Sequence, residues 1–350
     1  MAKKVLVGMS GGVDSAAAAL LLQRAGYEVS GVTMRLHERC TITGEQDIAD
    51  ARAVAAHMGI EHFVLDFDEI FRREVMERFV AEYCAGRTPN PCIDCNRSIK
   101  FGAMLDWALE QGFDALATGH YACVREDEAT ARHLLLRGRD RAKDQSYFLY
   151  SLTPAQLSGV LLPLGEYDKP QVRALAEEAG FVNARRRDSQ DICFVPGGDY
   201  VSFLEDFGAV TLTPGDFVDA AGRVLGRHRG LAAYTAGQRK GLGVSADRPL
   251  YVISKNAADN TVLLGDDRDL FSAELTACRV NWIVPPPTGE LRCTAKTRYS
   301  QKECAATVTV LEDRRVRVVF DEPQRAVTAG QAVVFYLGEV VAGGGTIEER

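Results

Sequence analysis

The chain has 350 residues, 46% of them hydrophobic and 25% charged, with 41 Lys and Arg against 48 Asp and Glu for a net charge of −7. That length allows two or three domains with a well-buried core, and the acidic balance excludes a protein coated in positive charge, although local basic patches still set a nucleic-acid footprint. No segment approaches the roughly 18 apolar residues of a membrane span, and the opening five-residue apolar run, Val5 to Met9, is too short for a secretory signal, so a cytoplasmic protein is expected.

In chain order, Val5–Val7 predicts a strand, Asp14–Ala25 an Ala- and Leu-rich helix closed by Gly26, and Glu28–Met34 a second strand. Gln46–Met58 predicts a helix stopped by Gly59, Glu61–Phe67 a third strand, and 68–84 another helix. Two prolines make Arg87–Pro91 a loop; Ile99–Gln111 follows as a helix and Ala115–Thr118 as a fourth strand. Leu134–Leu136 and Tyr147–Tyr150 suggest short strands, and Pro170–Ala179 a helix with Pro in its first turn and Gly180 past its end. This alternation of apolar runs and helical patterns is the signature of a parallel α/β sheet. Near residue 205 glycines become frequent and helical periodicity fades; 222–245 holds five Lys/Arg and no acid. Beyond 270 come short β-branched runs, Thr307–Val310, Val316–Phe320 and Ala332–Tyr336, which suit a small all-β barrel or sandwich. Three units are expected, 1–204, 205–270 and 271–350.

The sharpest motif is Ser10-Gly11-Gly12-Val13-Asp14-Ser15, between a strand and a helix. Two glycines let the backbone turn tightly and bring its N–H groups to an anion, the next helix presents its positive end to the same place, and Ser10 and Ser15 add hydroxyls. Asp14 is an anion where phosphates would sit, so it suits a Mg2+ ion better than a phosphate. No Gly-Lys-Ser/Thr follows, so this is not the lysine-containing loop of the common NTPases. The string resembles the PP-loop of N-type ATP pyrophosphatases, which cleave ATP between its α and β phosphates and transfer AMP to a substrate oxygen. On that resemblance 1–204 is a PP-loop catalytic domain in an α/β fold, followed by a small central domain and a C-terminal all-β barrel-like domain.

The chain has nine cysteines, high and odd, and in a reducing compartment most are expected to be small buried hydrophobes. Two motifs single out three of them: Asn90-Pro91-Cys92-Ile93-Asp94-Cys95-Asn96 and Asp188-Ser189-Gln190-Asp191-Ile192-Cys193-Phe194. Cys95 reads as standing just before a helix N-terminus, which with Arg97 and Lys100 would raise its thiolate fraction. Cys193 follows three arginines, Arg185 to Arg187. A structural zinc would want a second pair or two histidines, and none is suitably spaced. The other six cysteines read as core or incidental.

Taken in order, Gly8 to Ser15, the Asn90–Asn96 loop, Ala117-Thr118-Gly119-His120-Tyr121, Lys143-Asp144-Gln145-Ser146-Tyr147, the Asp188–Phe194 segment and Gly237 to Gly243 look like the tRNA-specific 2-thiouridylases, the MnmA family. The resemblance runs nearly end to end, through Lys296-Thr297-Arg298-Tyr299 and Gly330-Gln331. It implies ATP-dependent thiolation of carbon 2 of the wobble uridine in tRNAs for Lys, Glu and Gln. It further implies that Gly8, Met9, Ser10, Gly11, Gly12, Val13, Asp14, Ser15, Met34 and Gly119 line the ATP site. Cys95 matches the nucleophile and Cys193 the persulfide carrier; Asn90, Pro91 and Cys92 would lie beside the target base. His120, Lys143, Asp144, Gln145, Arg298, Tyr299 and Gln331 would contact tRNA, and a persulfide-carrying donor, a cysteine desulfurase or relay protein, would supply sulfur.

A uridine carbonyl oxygen is a very poor leaving group, and adenylation turns it into AMP. A persulfide on Cys193 can then supply sulfur, which Cys95 releases at the activated carbon, provided water is kept out. His120 has an ordinary alternative as a hydrogen-bonded structural residue, and the basic stretches Arg137–Lys143 and Arg223–Lys240 as solvated loops; the motif match and the unopposed charge favour phosphate contact. Two positions depart from the family pattern: Ala16 where a serine is common, and Cys92 where many members carry aspartate. Cys92, Cys95 and Cys193 together offer three thiolates, so a 4Fe-4S cluster with one open iron is the alternative to a persulfide relay. Rival functions are a 4-thiouridine or 2-thiocytidine synthase or an amide-forming synthetase with the same loop, and a tRNA-binding or sulfur-carrier protein without ATP turnover.

Overall fold

The computed structural model describes residues 2–41, 44–186, 191–208 and 212–349. Val5, Leu6 and Val7 have no exposed surface and make the central strand β1 (Lys4–Gly8). β1 is flanked on one side by β2 (Glu28–Arg35) and β3 (His62–Asp66), and on the other by β4 (Ala115–Ala117) and, beyond the hairpin β5 (Ala122–Asp127) and β6 (Arg132–Arg137), by β7 (Val160–Leu161). The order β3-β2-β1-β4-β7 is parallel throughout. The chain leaves β1 in one direction and returns on its other side, so the strand ends of β1 and β4 border a crevice, where open α/β sheets bind ligands.

Helices α1 (Val13–Arg24) and α2 (Glu45–Met58) follow β1 and β2, and α2 ends on left-handed Gly59, as the sequence pattern predicts. Ala16 is fully buried, so its lost hydroxyl exchanges for packing. Residues 68–84 form α3. The next helix starts earlier than expected: α4 runs over 91–110, with Asn90 capping it and Pro91 at its first turn. Its middle, Cys95–Ala103, is π-helical. The Gln156 amide donates to the Arg97 and Phe101 carbonyls (3.3 and 2.6 Å), bonding groups inside that widened stretch. The segment Tyr147–Tyr150 is not a strand: Ser146–Leu149 is one helical turn, its first N–H held by the Asp144 carboxylate at 3.1 Å. Tyr147, Leu149 and Tyr150 are all buried, so the run carries no alternation from which a turn of helix can be told from a strand. Lys169–Glu178 is α5, opened by a capping box from Asp168 and Gln171.

Four strands, β8 (Gly215–Val218), β9 (Val224–His228), β10 (Tyr251–Asn256) and β11 (Thr261–Gly265), form a separate sheet in the order β10-β11-β8-β9. Arg223 and Arg227 are paired with Asp219 (2.7 Å) and Asp216 (3.2 Å), so the basic stretch is opposed by acids that lie just before it in the chain. Six further strands, β12 (Phe271–Trp282), β13 (Glu290–Lys296), β14 (Cys304–Val310), β15 (Val316–Arg325), β16 (Ala332–Leu337) and β17 (Val340–Glu349), close into a barrel through β12–β17 pairing. The β5–β6 hairpin extends this barrel sheet by pairing with β17. Barrel residues Val334, Tyr336 and Val341 share one core with Leu135, Tyr147 and Leu152. The Tyr147 hydroxyl donates to the Ala332 carbonyl (2.9 Å), and Asn281 donates to those of Tyr150 and Leu152 (2.7 and 2.8 Å).

Candidate functional site: a nucleotide cavity beside three thiols

At the end of β1 the chain turns through Gly11 at φ +70°, where an added Cβ would lie 2.7 Å from the Asp47 carbonyl oxygen. The turn is pinned from within: the Ser10 N–H donates to Ser15 Oγ (3.2 Å), which donates to the Gly12 carbonyl (3.1 Å). No side chain caps the start of α1, so its first-turn N–H groups face the crevice. Gly119, after β4, packs its α-carbon against this start; a Cβ there would meet the Ser15 nitrogen at 2.8 Å. The resulting cavity, about 270 Å³, is lined by Gly8, Met9, Ser10, Asp14, Ser15, Met34 and Gly119 of the expected nucleotide set, but not by Gly11, Gly12 or Val13, and further by His120, Gln145 and Lys100. The Asp14 carboxylate is held by the buried Lys169 ammonium (2.7 and 2.8 Å) and accepts from Tyr121 OH (2.8 Å). A Mg2+ ion at Asp14 would have to displace that lysine.

Cys92, Cys95 and Cys193 lie within reach of the Lys100 charge. Because α4 begins at Pro91, Cys95 lies one turn inside the helix and not at its end. Burial therefore dominates and pushes its thiol up to about 12, while the Lys100 charge pulls it down. Arg97, expected to help, is instead bonded to Asp94 (2.6 Å). Cys92 reaches the surface, yet the atoms packed around it push its thiol up, with Lys100 acting the other way. Lys100 acts on Cys92, Cys95, Cys193 and His120 alike while lining the cavity. It is thus the residue common to nucleotide and sulfur. Its spacing from Cys95 is the π-helical repeat, which brings both to one face.

Cys193 is placed differently from expectation. Arg185 pairs with Glu177 (3.3 Å) and Arg186 with Asp47 and Asp50 (3.0 Å to the latter), so neither arginine serves the thiol. Arg187 and Asp188-Ser189-Gln190 lie outside the described residues. Thr41 ties the stretch that carries Cys40 to the Cys193 carbonyl (2.7 Å), and the Cys40 thiol nearby together with burial pushes the Cys193 thiol up strongly. Cys40 is a residue that sequence reasoning set aside as incidental, and its distance along the chain gives no signal. Also unforeseen is a latch: Asn183 Nδ2 donates to the Gly11 carbonyl (2.8 Å), with Arg186 beside it (3.4 Å), so the segment before Cys193 is tied to the phosphate loop. Among the described residues no group of three or more His, Cys, Asp or Glu is arranged to hold a metal ion. Cys92, Cys95 and Cys193 are neighbours that do not converge as cluster ligands would.

The expected tRNA contacts divide. Asp144 is turned inward, accepting from the Gly138 and Ser146 N–H groups (3.0 and 3.1 Å) to shape its turn. Gln145 lines the cavity and takes the Tyr121 N–H (3.0 Å). Lys143 donates its N–H to Asp140 O (3.0 Å). His120 is buried against Phe101 and bonded to Thr118 (2.7 Å), and burial holds it well below the ordinary histidine range, neutral at pH 7. In the neighbouring basic stretch, Arg137 lies over the Tyr336 ring and pairs with Glu303, and Arg141 pairs with Glu339. Arg298 donates to the Arg325 and Ala326 carbonyls (3.0 and 2.6 Å), and Tyr299 packs on Phe148 at 4.5 Å. Gln331 donates to the Thr88 carbonyl (2.8 Å), gripping the loop that ends at Asn90. Asn90 itself accepts from the Cys92 N–H (3.3 Å), so Asn90, Pro91 and Cys92 form the first turn of α4.

Residues 3–197 match the family model described as tRNA methyl transferase HUP domain, 201–266 a tRNA methyl transferase PRC-barrel domain, and 272–347 an aminomethyltransferase beta-barrel domain. The tRNA-specific 2-thiouridylase MnmA of Acetivibrio thermocellus is 49% identical, covering 99% of each chain. The MnmA of Clostridioides difficile is 46% identical over 100% of this chain and 99% of its own, and that of Acidithiobacillus ferrooxidans 48% over 99% and 98%. Among solved structures, a 4-thiouridine synthetase–RNA complex with bound ATP aligns at a TM-score of 0.39 and 20% identity, over 58% of this chain and 50% of that one, too low to argue from. Matched from end to end at such identity, this chain belongs to the tRNA-specific 2-thiouridylase family, MnmA.

Proposed function

We propose that this chain converts the wobble uridine of tRNAs for Lys, Glu and Gln to 2-thiouridine, with ATP as the activating co-substrate. The observation that carries the reading is Lys100, which borders the nucleotide cavity and acts electrostatically on Cys92, Cys95 and Cys193. The open N–H groups of α1 suit the ATP phosphates, and Lys100 and Met104 of α4 line the same cavity, which supports a carbonyl activated next to α4. The uridine oxygen attacks the α-phosphorus, pyrophosphate leaves, and the base carries AMP as its leaving group. Cys193 receives a persulfide from a persulfide-carrying donor. The Cys95 thiol, beside Lys100, passes its proton to the outer sulfur of the persulfide anion and attacks the inner sulfur; a Cys95–Cys193 disulfide forms, hydrosulfide leaves, attacks carbon 2, and AMP departs. Because Cys193 sits against Cys40, its loop must move for this step.

Mg2+ would arrive with the ATP phosphates, and Asp14 is its nearest carboxylate only after exchanging Lys169; no step is assigned to the ion. The non-convergent thiols do not fit a 4Fe-4S cluster, which favours the persulfide relay. We assign catalysis to 1–204 and tRNA contacts to 205–270 and 271–350, with activity in the cytoplasm. No helix among the described residues is long and apolar enough to cross a membrane.

The test uses tRNA with an unmodified wobble uridine and follows AMP and thiolated product together. Cys95→Ser and Cys193→Ser are expected to abolish thiolation while tRNA-dependent AMP formation survives. Unchanged thiolation in either variant removes that cysteine from the mechanism.

A further inference from the structure

The loop after β2 is built around Cys193. The Cys40 N–H closes a turn onto the His37 carbonyl (2.8 Å). The next residue, Thr41, donates both its N–H (2.7 Å) and its hydroxyl (3.1 Å) to the Cys193 carbonyl. Phe194 locks the other side, fully buried and edge-on to Phe71 and Phe79 at 5.8 and 5.2 Å. These bonds set Cys40 and Cys193, far apart in sequence, side by side, near enough for the Cys40 thiol to act on that of Cys193. Cys40 is 8% exposed, shielded from bulk solvent and from adventitious thiols. The thiolation chemistry described above makes no use of it.

We propose that Cys40 is a further catalytic cysteine, the thiol that discharges a persulfide on Cys193 in the arrangement seen here. Cys95 takes that part only when Cys193 moves to the nucleotide cavity. The inference rests on the persulfide reading of Cys193. In the step, the Cys40 thiol passes its proton to the outer sulfur of the persulfide anion and its own sulfur attacks Cys193 Sγ. A Cys40–Cys193 disulfide forms, the bond to the outer sulfur breaks, and that sulfur leaves with the electron pair as hydrosulfide. The two cysteine sulfurs end as a disulfide and the outer sulfur is reduced to sulfide; a dithiol reductant restores both cysteines. The device clears sulfur from Cys193 when no activated uridine waits for it.

The experiment takes full-length Cys95→Ser protein, loads it with glutathione persulfide, removes the donor and follows intact mass and non-reducing peptide maps. Cys193 is expected to gain one sulfur, then lose it with release of hydrosulfide and appearance of a Cys40–Cys193 cross-linked peptide that dithiothreitol reverses. In Cys95→Ser/Cys40→Ala the added sulfur should persist at least an order of magnitude longer. A loaded Cys193 in the Cys95→Ser protein that keeps its sulfur and never cross-links removes Cys40 and leaves the persulfide reading standing. A Cys193 that takes up no sulfur removes both.

Discussion

At Gly11 a single hydrogen in place of a methyl group keeps the phosphate loop shut against α2. The backbone is left-handed and the Asp47 carbonyl leaves no room, so Gly11→Ala must move one segment or the other. The expected cost is at least ~1 kcal/mol, read as a lowered Tm, with ATP affinity falling further than Tm because the displaced N–H groups are those that face phosphate. His120 gives a prediction in pH. Its folded pKa is depressed by burial, while the unfolded chain titrates near 6.5. Below 6.5 the unfolded state binds a proton that the folded state refuses, so this residue's contribution is whole above 6.5 and is lost as pH falls. The slope is up to ~1.4 kcal/mol per pH unit. Urea midpoints between pH 7 and 5 should therefore fall more steeply for the native chain than for His120→Gln; equal slopes would show the ring to be solvated. A neutral His120 also means that any contact it makes with RNA is a hydrogen bond and not an ion pair.

Helix α4 carries the site's register. A regular α-helix from Pro91 would rotate Lys100 away from Cys95; the π-helical middle brings them together, and Gln156 keeps it open by bonding two of its carbonyls. Gln156→Leu removes both bonds and should cost ~1–3 kcal/mol in urea unfolding. Single-turnover thiolation is expected to fall by more than that stability loss implies, while ATP binding at the α1 end stays intact; full thiolation in a destabilised variant would sever Gln156 from the chemistry. This element also marks where sequence reasoning stops. Strands β1 and β2 and helices α1 and α2 were legible because apolar period and glycine stops agree with burial, as at Gly59. The two prolines of Arg87–Pro91 pointed to a loop, yet Asn90 caps a helix and Pro91 starts it. A π-helical stretch has no periodicity signature that survives nine residues. The pairing of Cys40 with Cys193, and the latch from Asn183 to Gly11, are made by tertiary packing alone, which no local pattern encodes.

On the scale of the molecule, the C-terminal barrel reaches back to fix the loop that starts α4. The Thr88 N–H donates to the Ala329 carbonyl (2.9 Å), Gln331 donates to the Thr88 carbonyl, and Gly330 lies between them at φ +90°. A Cβ on Gly330 would stand 2.9 Å from the Thr88 nitrogen and 3.0 Å from its oxygen, both backbone atoms that cannot swing aside. Gly330→Ala must therefore push the 88–90 loop, and with it Asn90, the cap from which Cys92 and Cys95 are registered. The nucleotide cavity is built from β1, β2, α1, the segment after β4 and the later part of α4 at Lys100 and Met104, and neither Gly330 nor residues 88–90 line it. The variant should bind ATP as the native chain does, fold with a Tm lowered by a few degrees (~1–3 kcal/mol of local strain), and lose most of its tRNA thiolation. Gln331→Ala, which deletes the clamp without adding bulk, should lose less. An ATP affinity that falls in step with thiolation would mean that the barrel supports the whole catalytic half. Loss of thiolation alone would mean that it sets the place where base and sulfur meet.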